Sequence, residues 1–253
     1  MQFIGIIPAR YGSVRFPGKP LVMIQGKSMI RRVYEQALTC KLLNEVVVAT
    51  DDRRIFEHVS GFGKVVMTGE HASGTDRCLE AFEIINENNE YNDSDGIINI
   101  QGDEPFIDPE QIEQVCRKLR QPGKNIVTLA KQISQSHEID NPNVVKVVFS
   151  LSGKALYFSR LPIPYRRGES LTKDDVTNNS HFKHLGLYAY RAETLKQIAN
   201  MQPGPLEVAE KLEQLRWMQQ DLDIFVEITD RESFAIDTPE DVERLEEWLL
   251  NNL

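Results

Sequence analysis

No Asp or Glu occurs between Met1 and Tyr34, although the 253-residue chain as a whole carries a net charge of -9. Six cations, Arg10, Arg15, Lys19, Lys27, Arg31 and Arg32, fall in that acid-free stretch. A basic segment in an acidic chain marks a local site for a small anion. The same net charge excludes general nucleic-acid binding, which needs a broad basic footprint, and favours a soluble cytoplasmic protein. Cysteine is scarce. Cys40, Cys78 and Cys116 form no C-x-x-C pair, and their odd number excludes a disulfide framework, so all three read as small buried hydrophobes. No apolar run approaches the ~20 residues of a membrane span. The opening MQFIGII has no basic region ahead of its apolar residues and meets Pro8 at once, unlike a secretory signal. The G-x-G-x-x-G fingerprint is missing, which disfavours a nicotinamide enzyme. The Walker pattern fails too: Gly12 and Gly18 are one residue too far apart, and Pro20 stands where Ser or Thr would bind magnesium.

What is present is ordinary globular material, 41% hydrophobic and 26% charged. FIGII (Phe3–Ile7), EVVVAT (Glu45–Thr50), KVVM (Lys64–Met67) and GIINIQ (Gly96–Gln101) read as buried strands, being short and β-branched with no polar alternation. Helical segments separate them: SMIRRVYEQAL with Ser28 as its cap, DDRRIFEHV and TDRCLEAFEII. Asp108, Pro109 and Gln111 then start PEQIEQVCRKL with a capping box. Strands alternating with helices predict a doubly wound, mostly parallel α/β sheet over roughly the first 120 residues. Beyond it, NVVKVVFSLSGKALYFSR reads as a hairpin and KHLGLYAYR as a further strand. These predict an antiparallel subdomain inserted at about residues 134–190 of a single domain and laid over one edge of the sheet. LEVAEKLEQLRWMQ reads as one helix and DIFVEI as a strand. DTPEDVERLEEWLL closes the chain as a helix capped by Thr238, Pro239 and Asp241.

In such folds ligands sit beyond the carboxyl ends of the strands. The loop IPARYGSVRFPGKPL lies there. Its glycines allow backbone N–H groups to approach a ligand, and Arg10, Arg15 and Lys19 match the charge of a triphosphate. NIQGDEPFID ends the fourth strand with Asp103 and Glu104. A carboxylate there either completes a Gly-Asp turn or holds Mg²⁺, which takes one or two protein carboxylates plus substrate phosphates. AIDTPED decides for the metal: Asp237 ends another expected strand, and Thr238 already serves as the helix cap. Two aspartates at separate strand tips, facing a basic loop, make a phosphoryl- or nucleotidyl-transfer arrangement.

IPARYGSVRFPGKPL, ATDD, SGTDR, NIQGDEP, ALYFSR, KHLGLYAYR, LEQLRW and DTPEDVERLEEWL, in this order from Phe3 to Leu249, together resemble the 3-deoxy-D-manno-octulosonate cytidylyltransferases. The resemblance implies a Rossmann-like nucleotidyltransferase fold and a cytoplasmic homodimer. It implies that CTP and Kdo are joined into CMP-Kdo for lipopolysaccharide, with Mg²⁺ and with neither nucleic acid nor membrane as partner. It implies Arg10 and Lys19 on the triphosphate, with Gly12 and Ser13 in the loop backbone. Pro8, Ala9, Thr75 and Arg77 would surround cytidine, Gln101 would sit between nucleotide and sugar, and Asp103 and Asp237 would hold the metal. Arg160, His184, Tyr188, Glu213 and Gln214 would line the sugar site. Kdo carries a carboxylate, and Arg160 ends a strand with its fork expected free to meet one. By residue type alone, His184 reads as a core histidine, Tyr188 as sheet packing and Glu213 as half of a surface ion pair, and only the resemblance places them at the sugar. The other readings are a cytidylyltransferase for 8-amino-Kdo or sialic acid, whose relatives share the phosphate loop, and a non-catalytic nucleotide-binding module.

Overall fold

The computed structural model describes residues 1–12, 16–88, 90–165, 167, 181–232 and 234–252, with the last seven as backbone alone. Ser13 and Arg15, expected in the phosphate loop, lie outside these, as does much of the long loop before residue 181.

The first strand, β1 (Phe3–Ala9), runs two residues past the expected end and takes in Pro8. The loop after it closes where the Gly18 N–H donates to the Tyr11 carbonyl at 2.9 Å. Gly18 has φ +73°, a left-handed conformation that suits glycine, and starts a 3₁₀ turn over Lys19–Leu21. A short hairpin, β2 (Met23–Ile24) and β3 (Lys27–Ser28), leads to α1 (Met29–Leu38), capped by the Ser28 hydroxyl as expected. β4 (Glu45–Thr50), α2 (Arg53–Ser60), β5 (Val65–Met67), α3 (Gly74–Ile85) and β6 (Gly96–Asn99) follow. α4 (Pro109–Leu119) has both hydrogen bonds of the capping box between Asp108 and Gln111.

The second half holds elements the periodicity did not separate. β7 (Ile126–Gln132) and α5 (Ser136–Asp140) precede the expected hairpin, β8 (Lys146–Phe149) and β9 (Ala155–Ser159). β10 (Phe182–Arg191) leads into α6 (Ala192–Ala199). The helix expected over Leu206–Gln219 is two: α7 (Pro205–Glu210) and α8 (Gln214–Gln219). β11 (Ile224–Ile228) and α9 (Pro239–Asn252) complete the chain. Among the described residues no helix is long and apolar enough to cross a membrane.

The central sheet has the order β11-β7-β10-β6-β1-β4-β5. Pairing is parallel except at β10, which runs against both β6 and β7. The doubly wound, mostly parallel fold is therefore present, with one correction. The strand assigned to an edge subdomain, β10, sits inside the main sheet, and the β8–β9 hairpin hangs from its start through Lys183 and Lys146. Alternation along β1 explains the two layers. Phe3 and Ile7 pack on one face with α1, α2 and α4, while Ile4 and Ile6 pack on the other with α3, α6 and α8. The three cysteines are buried and unpaired.

The break between α7 and α8 has a specific cause. Lys211 adopts a left-handed conformation (φ 54°, ψ 46°). The freed carbonyls of Glu210 and Lys211 accept from the Arg160 guanidinium at 2.7 and 3.3 Å. Arg216 spans the break to Glu207 with two 2.7 Å contacts. An L-residue in this conformation costs about 1–2 kcal/mol. Lys211→Gly should therefore raise stability by roughly 0.5–1 kcal/mol, read as a higher urea midpoint with unchanged slope. In an unbroken helix the same change would cost about 1 kcal/mol, so the sign of the shift decides between the two geometries.

Candidate active site

Six of the seven central strands point their carboxyl ends to one edge of the sheet, and β10, being reversed, brings its start there. The cleft on this edge has a volume of about 410 Å³. Pro8, Ala9 and Arg10 reach it from β1, Ser73, Gly74 and Arg77 from α3, and Gln101, Gly102 and Asp103 from the tip of β6. Lys19, His71 and Asp237 complete its polar lining. Gly102 is a glycine by necessity, because a Cβ there would lie 2.9 Å from the Pro8 carbonyl. A second space of about 430 Å³ shares Arg10, His71 and Arg77 with the first and adds Gly12, Asp51 and Arg54.

Asp103 and Asp237 converge. Lys19 Nζ lies 2.8 Å from Asp103 Oδ2, 3.3 Å from Asp237 Oδ1 and 2.8 Å from the Ile236 carbonyl. The reason differs from the one read in the sequence. Asp237 does not end a strand: β11 stops at Ile228, and the segment bearing Asp237 returns as irregular chain. It is fixed by the Ile236 N–H donating to the Asp103 carbonyl at 2.9 Å. Ile236 is buried with Ile24, Met29 and Leu245. Asp241 in the first turn of α9 accepts from the N–H groups of Asp237 and Thr238, each at 2.9 Å. Burial acts to raise the Asp241 pKa, but these N–H groups and the Thr238 hydroxyl outweigh it and hold the carboxyl below its ordinary range.

This donor set fits a hard divalent cation. Two carboxylates reach one small cation, which at present is an ammonium, and substrate phosphates would complete the shell. No cluster of three or more His, Cys, Asp or Glu side chains positioned to hold a metal occurs among the described residues. The same cleft is lined by Arg10, exposed and with no carboxylate partner among the described residues.

The nucleotide-side expectations separate into two groups. Pro8, Ala9, Arg10, Lys19, Arg77 and Gln101 all line the cleft. The Arg77 guanidinium is buried and anchored by Asp51 at 2.9 Å and Thr68 at 2.6 Å. Gln101 is set by its side-chain amide donating to the Gly186 carbonyl at 2.8 Å, where β10 bulges against β7. Thr75 is not among the residues lining the cleft and donates to Glu213 Oε2 at 3.0 Å. His71, which sequence reasoning passed over, lines both spaces and is oriented by a short contact to Glu80. That contact, reinforced by the Gly69 N–H, keeps the Glu80 carboxyl below its ordinary pKa.

Among the residues expected at the sugar, the surface ion pair suggested for Glu213 does not form, since Arg216 pairs with Glu207. Glu213 turns inward and burial raises its pKa. Tyr188 is buried and stacks on Tyr190 with ring centroids 5.7 Å apart, and Trp217 stands edge-on to both. Glu213 Oε1, Tyr188 Oη, Tyr190 Oη, Trp217 Nε1 and Asn99 Oδ1 are all buried without a hydrogen-bond partner. So many orphaned polar atoms on neighbouring elements call for a polar occupant, ligand or water. Gln214 is buried beside them at the start of α8. Arg160 departs from expectation: its fork is not free. Three of its five N–H donors bind the carbonyls of Glu210, Lys211 and Pro142. It ties the hairpin to the α7–α8 break.

The chain matches the cytidylyltransferase family over residues 4–225. It is 49% identical to the 3-deoxy-manno-octulosonate cytidylyltransferase of Cytophaga hutchinsonii, over 97% of this chain and 96% of that protein. The protein of the same name from Parabacteroides distasonis is also 49% identical, covering 99% of each. This chain is a member of the 3-deoxy-manno-octulosonate cytidylyltransferase family. A solved structure described as CMP:2-keto-3-deoxy-manno-octonic acid synthetase complexed with CTP superposes with a TM-score of 0.88, at 39% identity over the whole of both chains. A 4-diphosphocytidyl-2C-methyl-D-erythritol synthase, 12% identical, has a TM-score of 0.65 over 98% of this chain and all of its own, and so shares the fold alone.

In this cytidylyltransferase His184 packs against Phe158 and Tyr188, and its Nε2 lies 2.9 Å from Thr128 Oγ1. Thr128 has one proton, and the Leu187 carbonyl at 2.8 Å takes it, so its oxygen accepts the Nε2–H of His184. Burial pushes the His184 pKa down from 6.5 to about 3. Between those values the unfolded chain binds a proton that the folded chain refuses. Stability from this group is therefore complete above pH 6.5 and is lost as the pH falls toward 3. Thermal midpoints should drop below pH 6.5 with a slope that His184→Gln makes shallower; identical slopes would show that His184 is not held neutral.

Proposed function

We propose that this chain transfers CMP from CTP to 3-deoxy-D-manno-octulosonate (Kdo), forming CMP-Kdo and pyrophosphate in the cytoplasm, where CTP is supplied, for lipopolysaccharide. The observation that carries the reading is the convergence of Asp103 and Asp237 on one cation, in a cleft that Arg10 also lines. The names of the full-length relatives supply the sugar.

The reaction is an in-line displacement in which the anomeric 2-hydroxyl of Kdo attacks the α-phosphorus and pyrophosphate leaves. Positioning and charge stabilisation dominate such transfers. Asp103 and Asp237 hold Mg²⁺. When bound, the metal supplies charge neutralisation at the α-phosphate and acidifies the attacking hydroxyl. Arg10 and Lys19 steady the charge that develops on the leaving pyrophosphate, with Gly12 and Ser13 in the loop backbone. Pro8, Ala9 and Arg77 bound the cytidine side, with Thr75 acting on it only through Glu213. Gln101, anchored on β10, stands between the substrates. Glu213, Gln214, Tyr188 and His184 offer acceptors and donors to a hydroxyl-rich acid. Arg160 has two N–H donors left for its carboxylate.

Asp103→Asn should lower turnover by roughly 10²-fold or more with an unchanged circular-dichroism spectrum. Near-normal pyrophosphate release with magnesium would remove the metal role. Against a panel of 2-keto sugar acids with CTP, Kdo should give the highest kcat/KM. A clear preference for 8-amino-Kdo or sialic acid would move the assignment within the class. No release with any panel member would leave a binding module.

The same reading makes the enzyme a homodimer through the hairpin region. Leu151 and Leu156 are exposed on the hairpin, and Leu161 and Tyr165 just beyond it. Apolar side chains this concentrated mark an association surface. Leu156→Glu should convert a dimer to a monomer in sedimentation velocity; a monomeric wild-type protein would end this part of the reading.

A further inference from the structure

Lys19 has two jobs that cannot be done at once. An ammonium has three N–H donors. Three oxygens surround this one, from Asp103, Asp237 and the Ile236 carbonyl, at 2.8, 3.3 and 2.8 Å. None is left for a phosphate, although Lys19 lines the cleft that Arg10 opens to anions. The Lys19 side chain is only 14% exposed and Asp103 28%, so water screens that contact poorly, whereas the contact to Asp237, 45% exposed, is screened more.

Two carboxylates that converge on one point repel each other unless a cation lies between them. We propose that Lys19 is the resident counter-cation of the Asp103–Asp237 pair and is exchanged when substrate binds. Before the nucleotide arrives, Lys19 keeps the two carboxylates together at the spacing a divalent cation needs. When the nucleotide enters, Lys19 leaves the carboxylates for phosphate oxygens, and a metal takes the place its ammonium held. Lys19 is thus a positioning residue for the metal pair as well as a phosphate ligand. This inference rests on the reading of Asp103 and Asp237 as metal ligands. It makes the free protein a poor binder of divalent cations, because any such ion competes with an ammonium tethered to the same chain. Whatever draws Lys19 away strengthens metal binding, and by linkage the metal strengthens nucleotide binding equally.

The test is Mn²⁺ binding to nucleotide-free protein, read by electron paramagnetic resonance of the free ion. Lys19→Met should bind Mn²⁺ at least ~10-fold more tightly than wild type. Arg10→Met removes an equal charge that does not touch the carboxylates, and should leave the affinity within about twofold of wild type. Lys19→Gln keeps hydrogen-bond donors near the pair and should change affinity in the same direction as Lys19→Met; it serves if the methionine variant does not fold. Equal affinities for wild type and the Lys19 variants, or an equal gain in Arg10→Met, overturn the exchange. Adding Asp103→Asn to the Lys19 variant must abolish the gained binding. If tight binding persists in that double variant, the metal reading of Asp103 fails, and the exchange fails with it.

Discussion

The contact on which the site depends is one ammonium between two carboxylates. Asp103 and Asp237 lie 84 and 218 positions along the chain from Lys19. Closing such long loops costs entropy, and a partly buried ion pair is weak evidence for net stability. The triad does not close them alone. The Ile236–Asp103 backbone hydrogen bond, the small cluster of Ile24, Met29, Ile236 and Leu245, and the Asp241 clamp already hold the Asp237 segment against the tip of β6. What the ammonium adds is geometry: it decides where two like charges rest on a frame built by packing and backbone bonds.

The topology explains how a reversed strand contributes to the edge where Asp103 and Asp237 meet. In a purely parallel sheet only strand tips would reach the carboxyl edge. Reversing β10 brings a strand start there, with His184 and Gly186 among the tips of β6 and β7. The bulge between Leu185 and Tyr188 turns the Gly186 carbonyl toward Gln101, which lines the cleft. The hairpin hung from the same strand start delivers Arg160. Arg160 in turn claims the carbonyls exposed where α7 ends, and α8 then starts with Glu213 facing inward.

Local signals carried most of what was legible in the chain. The Ser28 cap, the Asp108–Gln111 box, the β8–β9 hairpin and the apolar parallel strands depend on neighbours a few positions apart, and each formed as read. So did the meeting of Asp103 with Asp237, although through irregular chain. The misreadings arose where distant partners override local preference. Nothing between Leu206 and Gln219 breaks the helical period, but Arg160 and a left-handed Lys211 do. KHLGLYAYR reads as a strand by any criterion, yet its place inside the sheet is set by pairing with Asn99 and Thr128 far upstream. Arg160 sits at a strand end, where a free fork is a fair inference. Only the three-dimensional course of Pro142, Glu210 and Lys211 fills it. Tyr190, Trp217 and Asn99 carry no motif at all; their orphaned atoms exist only once the fold buries them.

Two groups of polar residues are prepared in opposite ways. In the cleft, Lys19 and Arg77 already have anionic partners, Asp103 and Asp237 for the first and Asp51 for the second. Around the start of α8, Glu213, Tyr188, Tyr190 and Trp217 each keep a buried polar atom with no hydrogen-bond partner among the described residues. Each such atom costs about 1–3 kcal/mol if left dry, so these positions favour a polar occupant. A polyhydroxylated acid can replace several waters at once because its hydroxyls both donate and accept. A triphosphate cannot work that way, because its charge must first be given the cations that neutralise it. On the proposed reading, one substrate is held by displacing water from fixed groups and the other by redistributing charge among residues already paired. That division follows from the chemistry of the substrates: one is rich in hydroxyls, the other in charge.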